Sequence, residues 1–163
     1  MVVLGVDPGI GRCGWGIIET QNSKLKTRNY GCIETKPNSP VEERLLIISS
    51  EIEKIIKVGK PDVLSIEDLF FSSNAKTAFI VGQARGVILL SAGKNKLPVA
   101  IYTPLQVKMA LSGYGRADKN QIGQMVKIIL GLSKVPKMDD TTDALAVAIT
   151  HAFSAKMNKS IRI

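Results

Sequence analysis

Apolar residues in the first part of the chain follow the pattern of β-strands. Residues 2–7 form a short apolar run, and residues 14–20 and 25–35 are two further strand-like segments. The connections between them are short and turn-like, which favours antiparallel pairing. We therefore predict a three-stranded antiparallel meander at the start of the chain.

The spacing of apolar residues then changes to a helical period. Ser39 stands before Pro40 and Glu42, so the sequence predicts an N-cap at Ser39 with a Ser-x-x-Glu capping box. Gly59 and Pro61 are expected to end this helix. One face of it carries the apolar residues Val41, Leu45, Ile48, Ile52, Ile55 and Ile56.

The remainder of the chain alternates strand-like and helix-like segments. Asp118 is expected to cap the helix that ends at Gly131, and the last helix begins near Asp139. The other predicted elements are strands at 62–68 and 98–103 and helices at 75–92 and 104–112. This order predicts an α/β fold with a mixed five-stranded sheet flanked by helices. We expect one domain over residues 1–163, with the tail at about 156–163 a candidate for disorder.

Charge is distributed unevenly. The formal net charge is +8, and the stretch 94–137 contains one acid, Asp118. Its cations are Lys94, Lys96, Lys108, Arg116, Lys119, Lys127, Lys134 and Lys137. A one-sided basic region indicates a polyanionic partner, most often nucleic acid. The alternative is a solvated basic surface with no partner.

Composition indicates a soluble globular protein, with 45% hydrophobic and 22% charged residues. We expect no transmembrane helix, because the chain has no run of eighteen or more apolar residues, and we identify no signal peptide. Cys13 and Cys32 do not form a CxxC motif, which favours ordinary reduced cysteines and a cytoplasmic location.

Acidic residues stand where predicted strands end and where the last helix begins. Asp7 and Glu67 each end a strand, and Asp140 and Asp143 share one helix face. Each has an ordinary alternative: a turn before Pro-Gly, a strand-end surface charge, or a helix cap. Spacing alone does not separate Asp139 from Asp140, because Asp139 is also one helical turn from Asp143.

Four carboxylates brought together would repel one another unless a cation neutralised them. Mg²⁺ prefers oxygen ligands and is held by a few carboxylates together with substrate phosphates. Two such ions about 4 Å apart can activate a water and stabilise the leaving oxygen in phosphodiester cleavage. Together with the basic stretch, the acids predict a metal-dependent nuclease.

Three motifs in order resemble the RuvC family of bacterial Holliday junction resolvases, in the ribonuclease H-like (retroviral integrase) superfamily. They are "LGVDPG", "SIEDLFFSSNAKTAFIVGQARG" and "DDTTDALAVAITH", and the resemblance covers nearly the whole chain. It implies that Asp7, Glu67, Asp140 and Asp143 are the catalytic, metal-binding carboxylates, and it selects Asp140 and Asp143 over Asp139.

The resemblance also implies a substrate and partners. The expected activity is a Mg²⁺- or Mn²⁺-dependent endonuclease with two ions in each active site, nicking two opposite strands of a four-way DNA junction in recombination and repair. The expected assembly is a homodimer that works with the branch-migration proteins RuvA and RuvB. By position, Phe70 matches an aromatic residue of the family that engages bases at the junction centre. Lys108 and Lys119 match lysines of the family that are implicated in DNA contact or catalysis. Arg116, beside them, is a further candidate phosphate contact, and the role of Phe71 is open.

Two other function classes are also compatible with the sequence. "LGVDPGIGRCGWGII" is also similar to the phosphate loop of actin-like ATPases and sugar kinases, although those proteins need a second lobe that 163 residues do not accommodate. A non-catalytic DNA-binding module on the same fold is the other. For His151, the only histidine, a catalytic-base role and a structural role are both open.

The helix at 75–92 is the predicted dimer contact. Between Ala78 and Leu90 only Gln83 and Arg85 are polar, so the helix is apolar on more than one face. The alternative is a central helix buried entirely within its own subunit.

Overall fold

Three antiparallel strands begin the fold. The structure is a computed structural model that describes residues 1–22, 24–68 and 75–161. Strand β1 (Val2–Asp7) pairs with β2 (Arg12–Gln21), and β2 pairs with β3 (Lys24–Glu34), both antiparallel. The predicted meander is confirmed.

Two parallel strands complete the sheet on the other side of β1. Strand β4 (Val63–Glu67) lies parallel to β1, and β5 (Val99–Tyr102) lies parallel to β4. The strand order is β3-β2-β1-β4-β5, which confirms the mixed five-stranded sheet.

Helices cover both faces of the sheet. One face packs on α1 (Val41–Gly59) and α2 (Ala75–Lys94). The other packs on α3 (Pro104–Ser112), α4 (Lys119–Leu130) and α5 (Asp139–Ile161). No helix in the described part of the chain is long and apolar enough to cross a membrane.

The predicted capping box at the start of α1 is wrong. Pro40, not Ser39, is the N-cap, and no side chain caps this helix end. Pro40 has an extended backbone conformation, with φ −52° and ψ 146°, and its carbonyl accepts the first helical hydrogen bond from Arg44. Ser39 therefore stands one residue too early for its hydroxyl to reach the first turn.

The predicted cap of α4 is confirmed. The Asp118 carboxylate accepts a hydrogen bond from the Gln121 backbone N–H at 2.8 Å, and the Gln121 side chain accepts one from the Asp118 N–H at 2.9 Å. At the other end, Gly131 adopts the left-handed conformation at φ +64°, as a C-cap requires.

Helix α5 lies very close to β1 and β2 because these strands carry glycine beneath it. A Cβ at Gly5 would overlap the Ala144 carbonyl, and a Cβ at Gly14 would overlap the Asp140 carbonyl. The first turn of α5 is therefore held against the end of β1.

Candidate active site

Asp7 and Glu67 end neighbouring strands on the same face of the sheet. In the parallel register Gly5 lies opposite Ser65 and the strands continue in step, so Asp7 and Glu67 stand side by side. The Ser65 hydroxyl donates to the Val147 carbonyl of α5 at 2.8 Å, so this face is the one that α5 covers. Side chains alternate along a strand, which places both carboxylates beneath the start of α5.

Asp140 and Asp143 approach from the first turn of α5. Burial and the negative charges of Asp143, Asp140 and Glu67, in that order, raise the pKa of Asp7 to about 8. Each of these three acids is thus near enough to Asp7 to disfavour its ionisation. The structure brings the four predicted carboxylates to one edge of the sheet.

Two lysines border the acidic residues. Burial raises the pKa of Glu67, and the charges of Lys108 and Lys119 oppose that rise. Burial also raises the pKa of Asp143, against the charge and hydrogen bond of Lys119. The carboxylates are therefore partly desolvated, with cations from α3 and α4 beside them.

Two of the carboxylates already form ion pairs. Asp140 Oδ2 lies 3.5 Å from Arg12 Nε, and Asp143 Oδ2 lies 3.4 Å from Lys119 Nζ. Sequence reasoning missed Arg12. In the structure Arg12 is two residues before Gly14 on β2 and so shares the face on which α5 packs, but the predicted strand began at residue 14 and did not include it.

The four carboxylates are suitable ligands for a hard divalent cation, but their side chains do not converge on one point. The donors are carboxylate oxygens, which Mg²⁺ and Mn²⁺ prefer. Across the described residues, however, no three acidic, histidine or cysteine side chains converge closely enough to hold a metal ion. Asp140 and Asp143 turn toward Arg12 and Lys119 instead. The chemistry of the donors therefore fits such an ion, while two of them are paired with Arg12 and Lys119 in this structure.

Other candidate residues lie around this site. Asp139 is exposed and acts electrostatically on Asp143 and Lys119. Arg116 is exposed in the connection between α3 and α4. Phe70 and Phe71 lie outside the described residues, so the prediction for Phe70 stays a prediction.

His151 packs two helical turns beyond the carboxylates. Its Nδ1 lies 2.8 Å from the Tyr102 hydroxyl, and the two rings meet edge to face with centroids 6.0 Å apart. Burial lowers the pKa of His151, which favours the neutral imidazole. This contact supports a structural role, joining α5 to the edge strand β5.

Comparison with known proteins places this chain in a family. The family model described as "Crossover junction endodeoxyribonuclease RuvC" matches residues 3–151. The chain belongs to the RuvC family. A RuvC of Caldicellulosiruptor saccharolyticus is 54% identical over 156 residues, covering 95% of this chain and 94% of that protein.

Solved RuvC structures share the fold. Thermus thermophilus RuvC is 37% identical, covers 97% of each chain and superposes with a TM-score of 0.90. The same RuvC in complex with a Holliday junction substrate is 35% identical, covers 96% of each chain and gives a TM-score of 0.89. The predicted ribonuclease H-like fold class is confirmed.

Proposed function

We propose that this protein is a structure-selective DNA endonuclease that resolves Holliday junctions by paired, symmetric nicks in two opposite strands. The observation that carries the proposal is the set of four carboxylates at one sheet edge, bordered by Lys108 and Lys119, in a member of the RuvC family. A relative of the same fold has been solved with a Holliday junction substrate.

The carboxylates Asp7, Glu67, Asp140 and Asp143 are proposed to hold the divalent metal, Mg²⁺ or Mn²⁺, as two ions per site. When bound, such ions supply an activated water and stabilise the leaving oxygen of the phosphodiester. Asp7 must lose its proton to become a ligand, because its pKa of about 8 keeps it largely protonated at neutral pH.

The cations bind and orient the DNA strand. Lys108 and Lys119 stand beside Glu67 and Asp143, so a phosphate that they contact lies next to the carboxylates. Arg116 extends the same basic border. Arg12, released from Asp140, adds a guanidinium with planar donors suited to a phosphate.

A homodimer is part of the proposal, because resolution needs two cuts and each chain carries one acidic set. Helix α2 is buried at Ala84 and Ile88 but exposes Phe79 and Leu90, 70% and 58% accessible, so it is not wholly covered by its own subunit. Gly86 on the same helix has open space around it. Cytoplasmic action together with the branch-migration proteins RuvA and RuvB completes the proposal.

The test is cleavage of a mobile four-way junction by the purified protein with Mg²⁺, beside a linear duplex of the same sequence. We expect symmetrically paired nicks on the junction alone, and none when EDTA replaces the metal. Equal nicking of both substrates, or none of either, would overturn the proposal.

A further inference from the structure

An exposed nonpolar surface lies beside Lys108 and Arg116, two of the cations proposed to contact DNA. We name it the α3 surface, formed by Leu105, Met109 and Tyr114. These side chains are 61%, 50% and 56% accessible, and they stand on α3 and in the turn that follows it. Large apolar side chains grouped in water commonly mark a binding surface.

The turn that carries Tyr114 is firmly built. The Tyr114 N–H donates to the Ser112 hydroxyl at 3.1 Å, and the Tyr114 carbonyl accepts from the Ala117 N–H at 3.2 Å. Gly115 lies directly against Leu105, close enough that a Cβ there would meet the leucine side chain. The backbone contacts thus fix the turn while the aromatic side chain remains in water.

The charges around the α3 surface favour DNA as its partner. Lys108 and Met109 are three and four residues after Leu105, so all three side chains lie along one stripe of α3. Arg116 follows Tyr114 by two residues. The acid of this stretch, Asp118, directs its carboxylate to the Gln121 N–H as a helix cap.

We propose that Tyr114 contacts the DNA directly, its ring stacking on a nucleoside of the strand that Lys108 and Lys119 hold at the carboxylates. Leu105 and Met109 form the nonpolar base on which this contact rests. Stacking on an aromatic side chain needs no particular base, so Tyr114 adds affinity without fixing the sequence that is cut. This inference rests on the proposed function, because it needs a DNA strand at the acidic site.

The experiment compares Tyr114→Ala, Tyr114→Phe and the wild type for junction binding in EDTA, at several salt concentrations. Tyr30→Ala is the matched control, because Tyr30 is also an exposed tyrosine but lies on β3. We expect Tyr114→Ala to bind about tenfold more weakly, Tyr114→Phe to bind nearly as the wild type, and Tyr30→Ala to be unchanged. The log–log salt slope should stay the same in all of them, because no cation is removed.

A fluorescent base analogue beside the cleaved phosphodiester gives an independent measurement. Its fluorescence should be quenched by the wild type and by Tyr114→Phe, and less so by Tyr114→Ala. Wild-type affinity and quenching in Tyr114→Ala would overturn the inference, as would a lower salt slope. Weaker self-association with unchanged DNA binding would overturn it too, by assigning the α3 surface to a protein contact. A wild type that fails to bind the junction would overturn the proposed function itself and this inference with it.

Discussion

At the scale of single residues, burial and the neighbouring carboxylates disfavour ionisation of Asp7. Its pKa of about 8 means that the folded, metal-free chain holds a proton that the unfolded chain releases near pH 4. Between these two values the folded state binds more protons, so the free energy of unfolding falls as pH rises from about 4 to 8. Asp7, which we propose is needed for cleavage, thus lowers the free energy of unfolding of the metal-free protein at neutral and higher pH.

Asp7→Asn should abolish cleavage and stabilise the metal-free protein at the same time. Asparagine cannot ionise, so at pH 8 the gain in unfolding free energy is roughly 5 kcal/mol at most and nearly vanishes at pH 4. Thermal unfolding in EDTA at both pH values measures the gain, and junction cleavage with Mg²⁺ measures the loss. Junction affinity measured in EDTA should be unchanged. An Asp7→Asn protein that cuts at near the wild-type rate would show that the site is assigned wrongly.

At the scale of elements, the position of α5 decides whether the site exists. Gly14 leaves the space into which the Asp140 backbone fits, so the distance between sheet and helix depends on a missing side chain. Backbone atoms cannot swing aside as a flexible side chain can. A methyl group at this point must push the first turn of α5, with its two carboxylates, away from Asp7.

Gly14→Ala should therefore lower the free energy of unfolding by roughly 1–3 kcal/mol and reduce cleavage more strongly than junction binding. Denaturant unfolding and junction assays measure the two effects. Gly93→Ala is the matched control, because Gly93 in α2 has open space around it and should gain roughly 0.5–1 kcal/mol from better helix propensity. Equal stability of Gly14→Ala and the wild type would contradict this account of the packing.

The cations of α3 and α4 should determine how binding depends on salt. Each lysine that neutralises a phosphate contributes about 0.9 to the log–log slope, so a Lys108→Ala, Lys119→Ala double variant should lose about 1.8. Lys57→Ala is the control, because Lys57 is exposed on α1, which covers the opposite face of the sheet. Binding titrations at several salt concentrations give the slopes. An unchanged slope in the double variant would locate the DNA elsewhere.

Local sequence signals predicted most elements, because their causes lie within a few residues. The bounds of β1 and α3 match the prediction, and Asp118 caps α4 as expected. The predicted capping box at Ser39 is wrong because the same residues are compatible with a helix that begins one residue later. The Arg12–Asp140 contact spans most of the chain. No local pattern indicates such a pair, since it depends on how β2 and α5 pack.

At the scale of the whole molecule, the proposed paired cutting needs two copies of the chain. A single nick leaves the two duplexes joined, and a two-fold dimer supplies two sites with the symmetry of the substrate. The exposed apolar residues of α2 are on the face of the sheet opposite α5, away from the carboxylates. A contact through α2 would leave both sites open to DNA.

A Phe79→Asp, Leu90→Asp double variant should be monomeric, because it places two charges in the proposed contact. It should still fold, since both side chains are exposed within the single chain. Analytical sedimentation measures the assembly, and the yield of resolved duplexes measures paired cutting. Val58→Asp is the control, because Val58 is 86% accessible on α1 and should stay dimeric. A double variant that remains dimeric and resolves junctions would move the interface off α2.

The two ion pairs at the carboxylates have a consequence for when the enzyme is active. Arg12 and Lys119 pair with Asp140 and Asp143, so a divalent ion bound by these carboxylates, as proposed, would free two cations beside the phosphate. The metal and the junction would then favour each other, and such cooperativity is reciprocal: each would raise the affinity of the other by the same factor. Free protein would then hold its metal loosely, and the complete catalytic centre would assemble only on DNA, so that cleavage would be confined to bound junctions.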